Sequence, residues 1–213
     1  AGVVAVFTAL LAMAAGFQST LESAGRPDVA LVLRGGSQAE LNSGISREQA
    51  PIIKQAPGIA QGADGLPLAS AEVVVIAELM KPGEKTGSNI TVRGVEPAAF
   101  DLRPQLRIVE GRTFTQGLRE LIVGQGVAGQ FEGARLGATL RMRGSDWTVV
   151  GVFASGDAYE SELWADGDVA QSTFNRQGYS SVRLQLAAAS DMQILKDALS
   201  ADPRVNVDVE TEE

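Results

Sequence analysis

The chain has 213 residues, of which 45% are hydrophobic, and this is enough to build an apolar core in one or two domains. Its formal net charge of -8 would repel phosphate backbones, so nucleic-acid binding is not expected. The chain has no histidine and no cysteine, which removes the commonest general base, the Ser-His-Asp arrangement, disulfides and thiolate metal sites. Few classes of enzyme remain open.

The first 21 residues carry no charge. As a helix with a rise of 1.5 Å per residue they would be about 30 Å long, which matches the hydrocarbon core of a membrane. We predict that residues 1–21 form the outer part of a transmembrane helix whose upstream end lies outside this sequence. Two alternatives are a buried core helix and a signal peptide cleaved at Ala12-Met13-Ala14, although the chain lacks the basic start of a signal peptide.

A β-α-β unit follows the apolar segment. Val29–Leu33 and Ala71–Met80 are β-type runs, and residues 46–55 have a helical pattern. Ser46 and Gln49 have the spacing of a capping box, although a proline two residues later removes an early backbone donor or shifts the start of the helix.

A glycine cluster lies in the middle of the chain. Residues 124–129 satisfy G-x-G-x-x-G directly after the apolar run Glu120–Val123, a pattern that can bind a dinucleotide. Such a site also needs a long helix and an acidic residue about 20 positions on. The helix predicted here, Gln125–Phe131, is short, and Asp146 lies in the turn of a hairpin predicted over residues 137–143 and 147–153. We therefore expect no cofactor, and a nucleotide-dependent enzyme built on Gly124–Gly129 is the less favoured alternative.

The same region carries a family resemblance. The residues that carry it are, in order, Gly111-Arg112-x-Phe114, Leu121-Ile122-Val123-Gly124 with Ala128 and Phe131, Leu136-Gly137, and Trp147-x-Val149-Val150-Gly151-Val152-Phe153. Their order and spacing resemble the periplasmic core domain of MacB-type ABC transporter permeases, the class that includes FtsX and the lipoprotein-releasing LolC and LolE. The resemblance is strongest from Leu106 to Phe174.

The resemblance implies a non-enzymatic domain in the periplasm, carried by a permease of the bacterial inner membrane. Such domains help to expel toxins or peptides, release lipoproteins or activate cell-wall hydrolases. It also implies a separate ABC ATPase subunit on the cytoplasmic side, a homodimer or heterodimer of permeases and, in some relatives, a periplasmic adaptor. No P-loop motif occurs in this chain. The alternative is a secreted or periplasmic binding module, whose mature N-terminus would begin near Ala15.

A second β-α-β unit ends the chain. Residues 182–186 and 205–209 alternate between apolar and polar side chains, as half-buried strands do. Between them, Ser190 and Gln193 are predicted to cap a helix that ends at Asp202-Pro203. The apolar face of this helix consists of Met192, Leu195 and Leu199.

Two acidic groups precede this unit. Asp157, Glu160 and Glu162 fit no calcium-loop pattern and are predicted to lie in a solvated loop. Asp166 and Asp168 are placed to favour the N-terminus of a helix. No metal site and no catalytic residue are expected.

Together these patterns predict an α+β fold with an N-terminal hydrophobic helix. After residues 1–21, a porter-like β-α-β subdomain would be built from both ends of the chain, residues 22–97 and 159–213. An inserted, mainly β second subdomain would occupy residues 98–158.

Four residues are candidates for a partner surface, because they lie where the inserted subdomain rejoins the first. They are Tyr159, Glu160, Glu162 and Trp164. If the aromatic rings are exposed, they mark a surface for a partner. The alternative is that Trp164 packs between the subdomains with its indole N–H satisfied.

Overall fold

The computed structural model describes residues 26–80, 87–131 and 133–212. The predicted transmembrane segment, residues 1–21, lies outside this part of the chain. Among the described residues, no helix is long and apolar enough to cross a membrane.

The described residues form a mixed α+β fold, as the sequence predicts. The strands are β1 (Arg26–Arg34), β2 (Ile45–Ser46), β3 (Ala69–Met80), β4 (Gly87–Val95), β5 (Arg107–Gly111), β6 (Glu120–Gly124), β7 (Thr139–Met142), β8 (Ser145–Ala154), β9 (Glu162–Asp166), β10 (Gly178–Tyr179), β11 (Ser181–Gln185) and β12 (Val207–Glu212). The α-helices are α1 (Gln49–Lys54), α2 (Ala98–Asp101), α3 (Gln125–Gln130), α4 (Gly167–Thr173) and α5 (Met192–Ala201). Three short 3₁₀ helices are formed by Glu40–Asn42, Ala158–Ser161 and Ala189–Asp191.

One large sheet crosses the whole described part of the molecule. Its strands lie in the order β12-β1-β11-β3-β4-β9-β6-β8-β5, with β7 paired to β8. β2 and β10 form a separate two-stranded ladder. The predicted hairpin is confirmed as β7 and β8, which pair antiparallel from Thr139–Thr148 to Met142–Ser145. Its turn is Arg143-Gly144, however, and Asp146, which is predicted in the turn, lies in β8 opposite Arg141.

Both predicted β-α-β units are present, and they interlock. β1 pairs antiparallel with β11, and β11 pairs antiparallel with β3, so β1 and β3 run parallel with β11 between them. In the same way β1 lies between β11 and β12. This order of four strands with two crossover helices is the ferredoxin-like, split β-α-β arrangement.

Alternation along β3 separates the two faces of the sheet. Because successive strand side chains point to opposite faces, Ala69 and Ala71 share one face with Val73 and Val75, and all four are buried. The two alanines belong to a first core beneath α1 and α5, and the two valines to a second core beneath α3 and α4. Tyr179 packs against both cores, so they form one continuous layer.

A third core lies on the opposite face of the sheet. It contains Val95, Ala99, Ile122, Phe153 and Trp164. Glu72 and Arg93 lie on the same face as this core. Glu72 is adjacent to Val73 of the second core and so points to the opposite face, and Arg93 is two residues from Val95 of the third core and so shares its face. The sheet is therefore covered on both faces at its centre.

The start of each crossover helix differs from the prediction. Ser46 and Gln49 do form the reciprocal bonds of a capping box, at 3.2 and 3.1 Å, but α1 begins only at Gln49. In α5 the predicted box between Ser190 and Gln193 is wrong. Gln193 donates instead to Asp197, and Asp191 accepts from the backbone N–H of Ala188 at the start of a 3₁₀ turn.

The C-terminal part of the second β-α-β unit agrees better with the prediction from sequence. Leu195 and Leu199 are buried and α5 is followed by Asp202, as predicted. β12 begins at Val207 rather than near Val205, which is buried ahead of the strand. The division of the chain into three segments after residue 21 stays a prediction, because the large sheet runs without a break through all of them.

Candidate functional site

Charged side chains are buried at the centre of the large sheet, on the face that carries the third core. We call this group the central ion network, and its members are Glu40, Glu72, Arg93, Arg103 and Glu162. Glu72 has no solvent exposure, and Arg103 has 1%. Because an unpaired buried charge is costly, each of these groups must be matched by its neighbours.

Arg93 is the hub of the network. Its Nε donates to Glu162 Oε2 at 2.8 Å, its Nη1 to Glu40 and Glu72 at 2.9 Å, and its Nη2 to Glu40 at 2.9 Å and Glu162 at 3.0 Å. All five N–H groups of the guanidinium are therefore used by three carboxylates. No donor is left over for a substrate.

Glu72 is held between two arginines. Arg103 donates to both of its carboxylate oxygens, at 2.7 and 2.8 Å, and Arg93 adds a third bond at 2.9 Å. Such bidentate, charge-assisted bonds are shorter and stronger than neutral ones. They join β3, β4 and the segment after α2 in one place.

The surroundings of Glu72 and Arg93 favour the charged form of each group. Burial alone would raise the pKa of Glu72, but the positive charges of Arg103 and Arg93 outweigh burial and lower that pKa from 4.5 to about 2. Burial opposes the charge of Arg93, yet the three facing carboxylates raise its pKa well above its ordinary value. Glu72 and Arg93 are thus both held in their charged forms at the centre of the clamp.

Aromatic rings close the network on one side. Trp164 is fully buried, and its indole N–H donates to Glu162 at 2.8 Å. The Tyr159 ring meets Trp164 edge-on at 5.5 Å. The Arg103 guanidinium lies over both rings, 4.7 Å from Tyr159 and 4.9 Å from Trp164, so cation–π attraction adds to the ionic contacts.

The structure brings together three of the four predicted partner-surface candidates. Tyr159, Glu162 and Trp164 all contact the central ion network, and Trp164 is packed with its indole N–H bonded, as the packing alternative describes. Glu160 faces away from it and accepts hydrogen bonds from the backbone N–H groups of Ser155 and Gly156, both at 2.9 Å. Only Tyr159 and Glu160 of the four keep intermediate exposure.

Sequence reasoning missed the most deeply buried members, Glu72, Arg93 and Arg103. The first two had a signal, since each is a single charged residue within an apolar strand, in SAEVVV and TVRGV. A charge at a strand position that must be buried requires an opposite charge nearby. Arg103, which follows the short helix α2, had no comparable signal.

The glycine motif serves close packing of the backbone. A side chain on Gly124 would place its Cβ 2.2 Å from the carbonyl oxygen of Glu160, and one on Gly126 would place it 3.0 Å from the same atom. The protein's own chain therefore occupies the space that a pyrophosphate would need. The backbone of Glu160 therefore argues against a dinucleotide site at residues 124–129.

The acidic groups have structural partners, and the prediction of a solvated loop is wrong for Glu162, which is buried at the start of β9 and paired with Arg93. Asp166 caps α4 by accepting from the N–H of Val169 at 2.9 Å, as its position predicts. Asp157 accepts from the N–H of Tyr159 at 3.0 Å. Across the residues described, no three acidic side chains come together in a way that could hold a metal ion.

These features define a class of protein: an α+β domain with a ferredoxin-like half and a charge-saturated centre, in which buried polar groups fix the architecture. The sequence model of the MacB-like periplasmic core domain matches residues 1–202, so the chain belongs to this family. It is a periplasmic core domain of the MacB-like ABC transporter permeases.

Solved structures share the fold. The extracellular domain of the noncanonic ABC-type transporter YknZ from Gram-positive bacteria has 20% identity and a TM-score of 0.61, over 85% of this chain and 99% of that domain. The periplasmic region of MacB from Actinobacillus actinomycetemcomitans has 12% identity and a TM-score of 0.64, over 87% and 89% of the two chains. A domain of a putative permease from Porphyromonas gingivalis has 17% identity and a TM-score of 0.57, over the same shares. No curated protein matches the chain.

Proposed function

We propose that this domain is non-catalytic and relays ATP-driven motion of membrane-spanning segments to substrate export, to extraction or to a periplasmic partner. The observation that carries this proposal is the single sheet with a locked centre. β1 and β12 lie at one end of the strand order and β5 at the other. A displacement applied to β1 and β12 therefore reaches β5 through continuous hydrogen bonding.

The central ion network supports a mechanical role. It connects segments of the chain that lie far apart in sequence. Arg93 is paired with Glu40, Glu72 and Glu162. Glu72 is paired in turn with Arg103. Rotation of one segment against another would separate buried opposite charges, which is strongly unfavourable. We assign Tyr159, Glu162 and Trp164 a positioning role in this clamp.

Family membership supports the following setting for the domain. The permease would lie in the bacterial inner membrane, with this domain in the periplasm and residues 1–21 anchoring it. A separate ATPase subunit would bind on the cytoplasmic side, and two permeases would pair as a homodimer or heterodimer, with an adaptor where the system has one. Copurification of a stoichiometric P-loop ATPase with the full-length protein from solubilised host membranes tests the first of these partners.

The relay can be tested by distance measurements on the full-length permease with its ATPase. A nitroxide label at the exposed Leu118 of each copy reports the separation of the two domains. A second pair, Leu118 and the exposed Ile194 of one chain, reports distortion within a domain. We expect the first distance to change on ATP binding and the second to stay constant, because the clamp keeps the domain rigid.

Two results would overturn this proposal. The first is a Leu118 separation that is the same with and without ATP, or that changes equally with an ATPase inactivated in its P-loop. The second is an intramolecular distance that changes as much as the intermolecular one, since the domain would then bend and not transmit motion. In a heterodimer, the second label is placed on the other permease.

A further inference from the structure

A groove outside the central ion network has the lining of an anion site. It has a volume of about 460 Å³ and opens beside the β2–β10 ladder. The lining residues that matter here are Arg34, Asn42, Gly44, Asn175, Arg176 and Gln177. A volume of this size falls within the range of sites for small molecules, roughly 300–1,000 Å³.

The charge of the groove is opposite to that of the chain. Of the residues that the structure describes, two arginines and no carboxylate line the groove, although the chain has a net charge of -8. Within the described part of the chain, the half-buried Arg176 makes no ion pair and no side-chain hydrogen bond. Among the described residues, the side chain of Arg34 makes only one long hydrogen bond, 3.4 Å from Nε to Ser37 Oγ. Neither guanidinium group is paired with a carboxylate of the described chain, so both can donate hydrogen bonds to a bound anion.

The loop that carries Arg176 is held in place. Its backbone N–H donates to Gln171 at 2.9 Å, directly after α4. Asn175 has a φ of 53°, in the left-handed region that asparagine tolerates better than most residues. Gly178 lies so close to Ile45 that a Cβ would come 2.4 Å from its carbonyl oxygen, which fixes the β2–β10 pairing. The donors are therefore presented by ordered backbone.

We propose that this groove binds a small anion with a carboxylate or a phosphate on a hydroxylated skeleton, such as a sugar acid or a sugar phosphate. Guanidinium groups match both anions with paired N–H donors. The amides of Asn42, Asn175 and Gln177 both donate and accept, which suits hydroxyl groups. This site is independent of the relay, so failure of either proposal leaves the other standing.

Gly44 allows a sharp test of the proposal. A Cβ at this position would meet nothing within 4 Å, so an added side chain enters open groove without a steric clash. Gly44→Asp places a negative charge beside the arginines, and Gly44→Ala is its steric control. Gly129→Asp is the matched control for charge, since a Cβ there also meets nothing within 4 Å and Gly129 does not line the groove. Arg176→Gln removes one guanidinium directly.

The 213-residue chain is purified in detergent, because its first 21 residues carry no charged side chain. It is then titrated with glucuronate, glucose 6-phosphate and glucose. Amide chemical shifts of residues 42–46 and 175–179 report binding. We expect saturable binding of at least one anion and none of glucose. Arg176→Gln and Gly44→Asp should weaken it about tenfold or more, as loss of a charge-assisted bond implies, while Gly44→Ala and Gly129→Asp should leave it unchanged.

The two anions distinguish a carboxylate ligand from a phosphate ligand. The anion that binds with the higher affinity carries the group that the groove prefers. The proposal is wrong if neither anion saturates the shifts, or if glucose binds as tightly as the anions. It is also wrong if Gly129→Asp weakens binding as much as Gly44→Asp does. Thermal denaturation checks that each variant is folded, and Arg176→Gln carries the test alone if Gly44→Asp does not fold.

Discussion

At the scale of single residues, the buried charges stabilise the fold through their mutual saturation. Removing a charge from water costs several kcal/mol, and a buried pair repays this only when its remaining hydrogen-bonding groups are satisfied. Arg93 and Glu72 meet that condition, since the first uses all five donors and the second accepts three bonds. The loss of one partner should therefore cost more than the intact pair contributes.

Glu72→Gln tests this expectation. The substitution keeps the size of the side chain but leaves Arg103 without its buried counter-charge. We expect the free energy of unfolding to fall by about 3–5 kcal/mol. Asp146→Asn is the control, because its partner Arg141 is exposed, and it should cost less than about 1 kcal/mol. Urea denaturation of both variants makes the comparison, and equal effects would contradict the structural role of the network.

The pH dependence of stability gives an independent measure of the same residue. The folded-state pKa of Glu72 is lowered to about 2 from an ordinary 4.5. Its ionised form therefore stabilises the fold fully above about pH 4.5, and this contribution is lost as the pH falls toward 2. The difference in unfolding free energy between the native chain and Glu72→Gln should shrink over that interval. A difference that stays constant from pH 6 to pH 2.5 would show that Glu72 does not carry the effect.

At the scale of secondary structure, patterns of apolar residues predicted the elements better than their ends. The strands around Leu31, Val75 and Leu184 follow from alternation and β propensity, which depend on the residues themselves. The start of α5 could not be obtained in this way, because Ser190 and Asp191 both offer capping oxygens and tertiary packing selects between them.

The candidate site was less accessible to prediction than the fold. Tyr159, Glu162 and Trp164 could be singled out, since they share one short segment. Their contacts with Glu72 and Arg93 depend on the order of strands β3, β4 and β9, which local patterns do not encode. Because these residues lie far apart in the sequence, their contacts could not be predicted from local patterns.

Two glycines at the junction of β6 and α3 allow a test at this scale. Gly124→Ala would force a Cβ to within 2.2 Å of the Glu160 carbonyl oxygen, and we expect a loss of about 1–3 kcal/mol in the free energy of unfolding. Gly129→Ala, inside α3 with open space around it, should instead gain about 0.5–1 kcal/mol because alanine favours helices. Chemical denaturation distinguishes the signs. Equal effects at both positions would contradict the close contact with Glu160.

At the scale of the whole molecule, the continuous sheet predicts cooperative unfolding. The first and second cores share β3 and are joined at Tyr179, so neither can open without exposing the other. Native-state hydrogen exchange should give the amides of Leu184 in β11 and Val123 in β6 the same opening free energy. Glu72→Gln should lower both by the same amount. Selective loss of protection at Leu184 would show that the two halves unfold separately.

The positions of the two ends of the described chain make this rigidity depend on the direction of an applied load. Arg26 in β1 lies opposite Glu212 in β12, so the described chain enters and leaves side by side on antiparallel strands. A tensile load that pulls these two ends apart would peel the strands from one end, and their hydrogen bonds would break one rung at a time. A load that moves both ends together leaves every rung intact. The domain is thus compliant when these two ends are pulled apart and stiff when they are displaced together.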